Sequence, residues 1–323
     1  MPQPTVQQLH IDRVLTQISV KYTQNAEQFI AAKVFPRVLV DKKSDMYRIY
    51  NRNDWLRDDA KPRASLTESA GGGYRLSYGS YMAEVMAFHK DVGPQERANA
   101  DEPLDMDRDA AEFVAGKLLL RMELQWAEEF FKTGVWGTDD TTAVNWDSYA
   151  TSNPIGNVRA AKALILGQTG YEPNTLVLGF GVYNALLDHP DIIDRIKYSS
   201  SPAAPTMVTD SVLAALFGVE RVLVAKAIKA TNNEGAAVET YDFAFGKHAL
   251  LAYAAQSPSL LAPSAGYQFV WKGVSGGLGT TVATYRIPIP LLGLGAERIE
   301  AETAVSNKVV APELAYFWSN VIA

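Results

Sequence analysis

The 323-residue sequence contains no cysteine. This absence excludes a disulfide framework, thiolate metal sites, iron–sulfur clusters and cysteine nucleophiles. Histidine is scarce as well, and the four residues of this type, His10, His89, His189 and His248, lie too far apart in the sequence for metal-ligand spacing. We therefore expect no metal site and no other cofactor.

A surplus of positive charge and long apolar runs are also missing. The 30 Lys and Arg residues against 36 Asp and Glu residues give a formal net charge of −6, whereas a protein that binds nucleic acid tightly usually has a basic surplus. No apolar run approaches the roughly 20 residues of a membrane span, and the N-terminus lacks the basic-then-apolar order of a secretory signal. We expect a soluble folded chain with no membrane partner and only weak contact with DNA.

No motif in the sequence amounts to an active site. The run Gly273–Gly277 matches the G-x-S-x-G pattern of hydrolases. That motif requires a helix directly after the serine and a later histidine, but Pro288 and Pro290 follow and the last histidine is His248. The pattern favours a Gly-rich turn between strands and a protein that is not an enzyme. A soluble α+β hydrolase that uses Ser275 remains an alternative.

Residues 46–92 are typical of a long β-hairpin with a charged tip. Residues 46–50 and 74–89 alternate as strands do, and Gly71–Gly73 interrupts the pattern between them. The tip has too few apolar residues to bury itself, and an isolated two-stranded hairpin is marginally stable in water. We expect the hairpin to lie on another surface, such as a neighbouring copy of the chain.

The mixed-charge tip has two interpretations that the sequence leaves equally open, a solvated loop and a docking element whose charges pair with a neighbour. One exposed ion pair contributes only about 0–1 kcal/mol, so such pairs would set register more than strength. The candidate inter-subunit contact residues are Arg48, Arg52, Asp54, Trp55, Arg57, Asp58, Asp59, Lys61 and Arg63.

The remaining segments predict a mixed α+β chain. Residues 1–45 are a leading segment with extended pieces around Pro36, and residues 107–132 predict a helix of about 39 Å that Asp105 or Asp107 caps. Residues 134–155 are typical of a loop. Helices and strands alternate over 156–299, and residues 297–323 predict closing strands.

In this order, several runs resemble the major capsid proteins of tailed bacteriophages, whose Johnson fold also occurs in herpesvirus shells and encapsulin compartments. The runs that carry the resemblance are Leu15–Val20, Phe29–Pro36, Tyr47, Trp55–Arg57, Arg63, Asn99–Leu104 before the long helix, Leu178–Leu186 with His189-Pro190, and Lys308–Ala311.

The resemblance implies an α+β phage major-capsid (Johnson) fold. It divides the chain into an N-terminal arm (1–45), an extended loop (46–92), a peripheral domain with the spine helix (93–155 plus 297–323) and an axial domain (156–296).

The function that it implies is self-assembly into hexamers and pentamers of an icosahedral shell around double-stranded DNA. The protein would be a virion component that is assembled in the host cytoplasm, with portal, scaffolding and decoration proteins as further partners. An encapsulin-type compartment with a protein cargo is the nearest alternative.

Overall fold

The computed structural model describes residue 24 and residues 28–100, 105–141, 145–199, 208–233, 235–257, 262–274, 282–292 and 295–323. Helices and β-sheets are both present, so the predicted α+β class is confirmed. Most of the predicted arm, including the run Leu15–Val20, and the run 101–104 lie outside the described residues.

The elements of the first half of the chain are α1 (Ala31–Val34), β1 (Arg37–Val40), β2 (Ser44–Tyr50), α2 (Arg52–Trp55), β3 (Leu76–Met82), β4 (Glu84–Val92), α3 (Pro94–Asn99), α4 (Met106–Phe130), β5 (Thr138–Asp140) and α5 (Pro154–Thr169).

The elements of the second half are β6 (Thr175–Gly179), α6 (Phe180–Leu187), α7 (Pro190–Ser199), α8 (Asp210–Phe217), β7 (Arg221–Ala225), β8 (Ile228–Ala230), β9 (Tyr241–Phe243), β10 (Ala249–Ala252), β11 (Gly266–Trp271), β12 (Ala283–Pro288), β13 (Glu297–Val309) and β14 (Ala315–Trp318). Short 3₁₀ turns at Pro290–Leu292 and Pro312–Leu314 flank β13.

The long helix α4 agrees closely with the helix expected over 107–132. The Asp105 carboxylate caps it by accepting hydrogen bonds from the backbone N–H groups of Asp107 and Arg108, each at 3.1 Å. Its apolar stripe includes Val114, Leu118 and Trp126, all buried. This stripe faces the sheet because residues three and four apart share one side of a helix.

Strand β13 is the centre of a five-stranded sheet in the order β1-β11-β13-β12, with β4 also paired to β13. All its pairs are antiparallel except β1–β11, which is parallel. Ile299 and Ala301 of β13 are buried in one apolar cluster with Val114 and Leu118 of α4. The helix therefore packs across the sheet and covers its centre.

A second five-stranded sheet has the order β5-β14-β10-β6-β7. Every residue of β6 and β10 is buried, as expected for central strands covered on both faces. Helices α5 and α8 contribute Ile165 and Leu213 to the same large core, which also holds Trp126, Trp146 and Phe317.

The strand pairing does not follow the expected domain boundaries. Strands β11 and β12, expected in the axial domain (156–296), pair with β13. Strand β14, expected in the peripheral domain, lies between β5 and β10. Local patterns cannot assign such strands because sheet partners far apart in sequence are chosen by tertiary packing. The division into two domains with these limits remains a prediction.

The extended piece expected after Pro36 is β1, and Ala31–Val34 before it form one helical turn. Two shorter expectations were wrong. The expected loop over 134–155 contains β5, which pairs with β14 at the sheet edge. The hairpin does not run through residue 92 because its second strand ends at Met82. After Ala83 the chain continues as β4, which leaves β2 and pairs with β13.

Among the described residues, no helix has the combination of length and apolarity needed to cross a lipid bilayer.

Candidate interaction surface

An aromatic stack fixes the base of the hairpin, which we call the ribbon and define as β2, β3 and the loop 51–75 between them. The Tyr81 ring stacks on Phe269 of β11 with centroids 4.4 Å apart, and Tyr47 lies on the same ring at 5.6 Å. Tyr47 lies opposite Gly79 in the ladder, where a Cβ atom would come within 2.4 Å of the Tyr47 ring. Glycine at position 79 thus lets the Tyr47 ring cross the neighbouring strand.

An ion pair, which we call the charged clip, joins the two sides of the loop just beyond the ends of β2 and β3. The Asp54 carboxylate accepts hydrogen bonds from the backbone N–H of Arg75 at 2.9 Å and from its guanidinium at 3.0 Å through both oxygens. These hydrogen bonds from Arg75 hold the pKa of Asp54 below its ordinary value. Asn51 contributes a helix cap by accepting a hydrogen bond from the Asn53 N–H at 3.0 Å. Asp54 is thus engaged inside the ribbon.

Three aromatic rings meet beside this clip. Tyr50, Trp55 and Tyr74 have centroid distances of 5.7–6.0 Å to one another. Trp55 nevertheless stays 62% exposed and Tyr74 58% exposed. An aromatic cluster that is ordered within the chain but still open to solvent is a typical anchor for a partner, because burial of each ring removes a large apolar area from water.

The outermost part of the ribbon is exposed without interruption from Leu56 to Tyr78. Five of the predicted contact residues lie there, and none of them is in an ion pair within the described part of the chain. These five are Arg57, Asp58, Asp59, Lys61 and Arg63. These five predicted charges therefore lie on a surface that the described residues leave exposed.

The other predicted residues lie closer to the body. Arg48 is exposed on β2, and Arg52 is half-buried on α2 with its Nη1 atom buried and without a hydrogen-bond partner among the described residues. Arg52 lines a groove of about 870 Å³ between the ribbon and the body. Tyr171, Pro312 and Leu314 form part of the opposite wall.

The ribbon also exposes apolar side chains on both strands and in the loop. By the register of β2 and β3, Met46, Leu76, Tyr78 and Met82 share one face, and exposed apolar side chains that share a face are candidates for an interaction surface. The exposed apolar residues are Met46, Trp55, Leu56, Leu66, Tyr74, Leu76, Tyr78 and Met82.

One buried carboxylate that the sequence analysis missed holds the start of α1 on the long helix. Glu123 of α4 is 1% exposed and accepts hydrogen bonds from the backbone N–H of Ile30, at 2.9 and 3.0 Å, and of Ala31, at 2.7 Å. Burial raises the pKa of Glu123 to about 7, while these hydrogen bonds and Lys33 act in the opposite direction. The sequence offered one indication of this buried carboxylate, because Glu123 lies within the apolar stripe between Met122 and Trp126.

The structure also contains a buried serine–histidine pair that was not predicted from the sequence. Its hydrogen bonds are those of a structural contact and not of a catalytic pair. Ser152 Oγ lies 3.0 Å from His189 Nε2, and His189 Nδ1 accepts a hydrogen bond from the Asp191 N–H at 3.2 Å. That bond leaves the proton on Nε2, which donates to Ser152, so the histidine cannot act as the base for the serine. Burial lowers the pKa of His189.

Ser275, the nucleophile of the alternative hydrolase, lies outside the described residues. The preceding strand β11 belongs to the β13 sheet, whereas His248 packs against Phe131 and Phe317 of the other core. The first described element after the motif is strand β12, whereas a hydrolase nucleophile motif requires a helix there. Across the described ranges, no group of three or more His, Asp or Glu side chains has an arrangement suited to a metal ion.

No family model matches the chain. Among curated proteins, the major capsid protein of Burkholderia phage BcepMu is 26% identical over 280 residues, which are 81% of this chain and 84% of that protein.

Solved structures share the fold at low sequence identity. A phage-related protein from Bordetella bronchiseptica RB50 aligns with a TM-score of 0.68 and 21% identity over 93% of each chain. The capsid of cyanophage P-SCSP1u aligns at 0.63 and 10% identity over 100% of this chain and 96% of that one. The SrpI encapsulin of Synechococcus elongatus PCC 7942 aligns at 0.56 and 12%, over 96% and 94%. The predicted capsid-type fold is confirmed.

Proposed function

We propose that this chain is the major capsid protein of a tailed phage, a structural protein that assembles as hexamers and pentamers into an icosahedral shell around double-stranded DNA. The alignment of nearly the whole chain with the P-SCSP1u capsid is the observation that carries the proposal. The curated relative, named a major capsid protein, supports the same function.

The ribbon supports assembly from copies of one chain. Its distal surface exposes five charged residues of both signs and an aromatic cluster, and the described residues leave both open to solvent. Repetition around a closed symmetric shell would use this surface many times. Contacts that are weak individually then become strong in sum. The proposal therefore assigns Arg48, Arg52, Trp55, Arg57, Asp58, Asp59, Lys61 and Arg63 to inter-subunit contact.

Asp54 has a different part in this proposal. Its carboxylate is occupied by Arg75, so it shapes the loop that presents the other residues. The Nη1 atom of Arg52, which has no hydrogen-bond partner in the part of the chain that the structure describes, offers a donor to a carboxylate of a neighbouring copy.

Electron microscopy of the purified protein tests the proposal. We expect closed particles, and a compact monomer under the same conditions would contradict it. A triple variant, Arg57→Ala, Lys61→Ala and Arg63→Ala, should lower particle yield and retain the circular-dichroism spectrum. The matched control, Lys197→Ala on the exposed face of α7, should assemble as the parent does.

An encapsulin-type compartment is the second candidate because the chain aligns with the SrpI encapsulin over most of its length. The contents of particles from the natural source separate the two functions. Nuclease-protected DNA supports the capsid, and a co-purifying protein cargo supports the compartment. The hydrolase alternative predicts instead a monomer with an activity that Ser275→Ala abolishes.

Further features of the capsid proposal are its location and partners. The protein would assemble in the host cytoplasm, become part of the virion, contact DNA weakly and meet portal, scaffolding and decoration proteins. The net charge of −6 is consistent with weak DNA contact. Particles whose retention on DNA-cellulose persists at high salt would contradict it.

A further inference from the structure

Strand β4 lies at an edge of the sheet that surrounds β13. Both β4 and β12 pair with residues 297–302 of β13, so these two strands lie on opposite sides of it. Within the described ranges, β13 is the only strand that pairs with β4. The outer edge of a strand in this position presents backbone N–H and C=O groups that are a template for pairing with another chain.

The ladder along β13 determines which residues of β4 direct their backbone groups to this outer edge. The Ile289 N–H donates to the Ala296 carbonyl at 2.9 Å, in the same register as the β12–β13 ladder. Hydrogen-bonding direction alternates along an antiparallel strand, so even-numbered residues of β13 face β12 and odd-numbered residues face β4. These odd-numbered residues pair with even-numbered residues of β4. Val85, Ala87 and His89 therefore direct their N–H and C=O groups outward.

The side chains of β4 carry opposite charges toward its two ends. Glu84 is exposed at the start of the strand, and Lys90 lies near its end with Nζ 6.0 Å from the centroid of the Phe113 ring. Neither residue is in an ion pair within the part of the chain that the structure describes. The Asp91 carboxylate accepts hydrogen bonds from the Arg298 guanidinium at 2.7 and 3.0 Å, so its charge is already compensated.

The side chains between these two charges are apolar. Met86 and Phe88 lie on the same face as Glu84 and Lys90, because side chains two residues apart share a face of a strand, and both pack against the apolar cluster under α4. Ala87, at the midpoint, is small and exposed. The order acidic, apolar, apolar, basic along this face is complementary to its own reverse.

We propose that two copies of the chain pair along β4 as antiparallel strands, with Glu84 of each copy opposite Lys90 of the other and Ala87 on the two-fold axis. Residues that direct their backbone groups outward must oppose one another across such a pair. The register meets this condition, because Val85 lies opposite His89 and Ala87 lies opposite its own copy. The inference adds a contact between copies to the proposed function but does not rest on it, since two copies are sufficient.

The neighbouring registers and the other edge fit less well. The two registers that are shifted by two residues keep the hydrogen-bonding pattern, but they place Lys90 opposite Met82 or Met86 and lose both charge pairs. Strand β12 has Pro288 at an outward-pointing position. Proline has no N–H to donate to an added strand. Charge and backbone direction therefore both favour the register centred on Ala87.

A single cysteine on the two-fold axis tests the pairing in a chain that has no cysteine of its own. Opposed residues in a hydrogen-bonded antiparallel pair have Cα atoms about 5.5 Å apart, within disulfide range. Chains with Ala87→Cys should form a covalent dimer under mild oxidation, measured on a non-reducing gel. Val85→Cys alone should form at least tenfold less dimer in the same time, because its two copies would lie roughly 13 Å apart along the strands. Equal yields from the two variants, or no dimer from Ala87→Cys, would overturn the proposal.

A mixing experiment tests the register. Chains with only Val85→Cys are mixed with chains with only His89→Cys before oxidation. The mixed dimer should form about as fast as the Ala87→Cys dimer, whereas each variant alone should dimerise slowly. A mixed dimer no more abundant than the two homodimers would reject the register centred on Ala87.

Charge reversal tests the ion pairs in the Ala87→Cys background. Lys90→Glu places two carboxylates opposite each other and should lower the dimer yield about fivefold or more. Addition of Glu84→Lys restores opposite charges and should restore the yield, which a misfolded chain would not show. The matched control, Lys197→Glu on the exposed face of α7, should cross-link as Ala87→Cys does. A double reversal that cross-links no better than Lys90→Glu would contradict the charge pairing. Particles that form without any Ala87→Cys dimer would reject this contact and leave the proposed function intact.

Discussion

The buried carboxylate of Glu123 leads to a stability prediction with an unusual sign. Its pKa is raised from 4.5 to about 7 in the folded chain, with burial as the largest cause. A raised pKa in the folded state means that the folded chain holds a proton that the unfolded chain has already released. This contribution to stability is complete below the unfolded pKa and is lost as pH rises through the folded value.

The magnitude follows from the two pKa values. Each pKa unit corresponds to about 1.4 kcal/mol, so ionisation of Glu123 costs about 3 kcal/mol over the whole range. Between pH 6 and pH 8, where only the folded-state group titrates, the linkage relation gives a loss of about 1.3 kcal/mol in the free energy of unfolding. Trp126, buried one turn away on the same helix, reports unfolding by its fluorescence.

Urea unfolding of unassembled subunits at pH 6, 7 and 8 tests the prediction in the parent chain and in Glu123→Gln. The amide does not titrate, so the difference in unfolding free energy between the two chains should change by about 1.3 kcal/mol over this range. Taking the difference removes contributions from His189 and His248, whose pKa values are lowered by burial. Glu128→Gln, on the exposed face of α4, is the matched control and should follow the parent. Parallel pH profiles for the parent and Glu123→Gln would refute the reasoning.

Three further predictions concern the ribbon base and the histidine pair. Phe269→Ala removes the ring on which Tyr81 stacks, so the free energy of unfolding should fall by about 3–5 kcal/mol in urea titrations. The control variant Phe113→Ala removes a 43% exposed ring and should cost about 1 kcal/mol or less. Equal losses in the two variants would contradict the anchoring role of Phe269. Gly79→Ala should displace the Tyr47 ring and accelerate hydrogen exchange of the β2 and β3 amides. The control variant Gly71→Ala, whose Cβ would have open space around it, should leave that exchange unchanged. Equal exchange rates in the two variants would refute the close contact between Gly79 and Tyr47. Ser152→Ala should lower the free energy of unfolding by about 1–3 kcal/mol, because it leaves the buried His189 Nε2–H without a partner. Burial lowers the pKa of His189, so the free energy of unfolding of the parent chain should fall as pH falls from 7 to 5. If a His189→Asn chain loses stability in acid to the same extent as the parent, His189 makes no such contribution.

Local patterns predicted the elements whose cause is local. Helix α4 follows from the spacing of Val114, Leu118 and Trp126 and from the cap at Asp105. The end of α8 also has a local cause, because Gly218 adopts a φ of 63° there, a conformation that glycine favours. The alternation of residues 46–50 predicted β2 in the same way. In each case the residues that form the element also carry the signal.

Pairing over long distances escaped those patterns. Strand β13 joins β4, β11 and β12, and its partner β4 lies about 200 residues earlier in the sequence. The local sequence of β13 predicts a strand near the end of the chain, but it does not indicate which strands pair with it. Its partners depend on which apolar faces the helices leave to be buried, and that is a property of the packed chain.

The composition and order of residues by themselves determined an acidic α+β chain with a long helix, a projecting charged hairpin and a resemblance to phage capsid proteins. Only the tertiary structure decided that Asp54 is engaged by Arg75, that Glu123 holds Ile30 and Ala31, and that Gln24 reaches Ile228. Periodicity depends on neighbours within one turn or one pleat, whereas these contacts join residues 21, 92 and 204 positions apart. Such distances in sequence are bridged only when the sheets and the helix between them have packed.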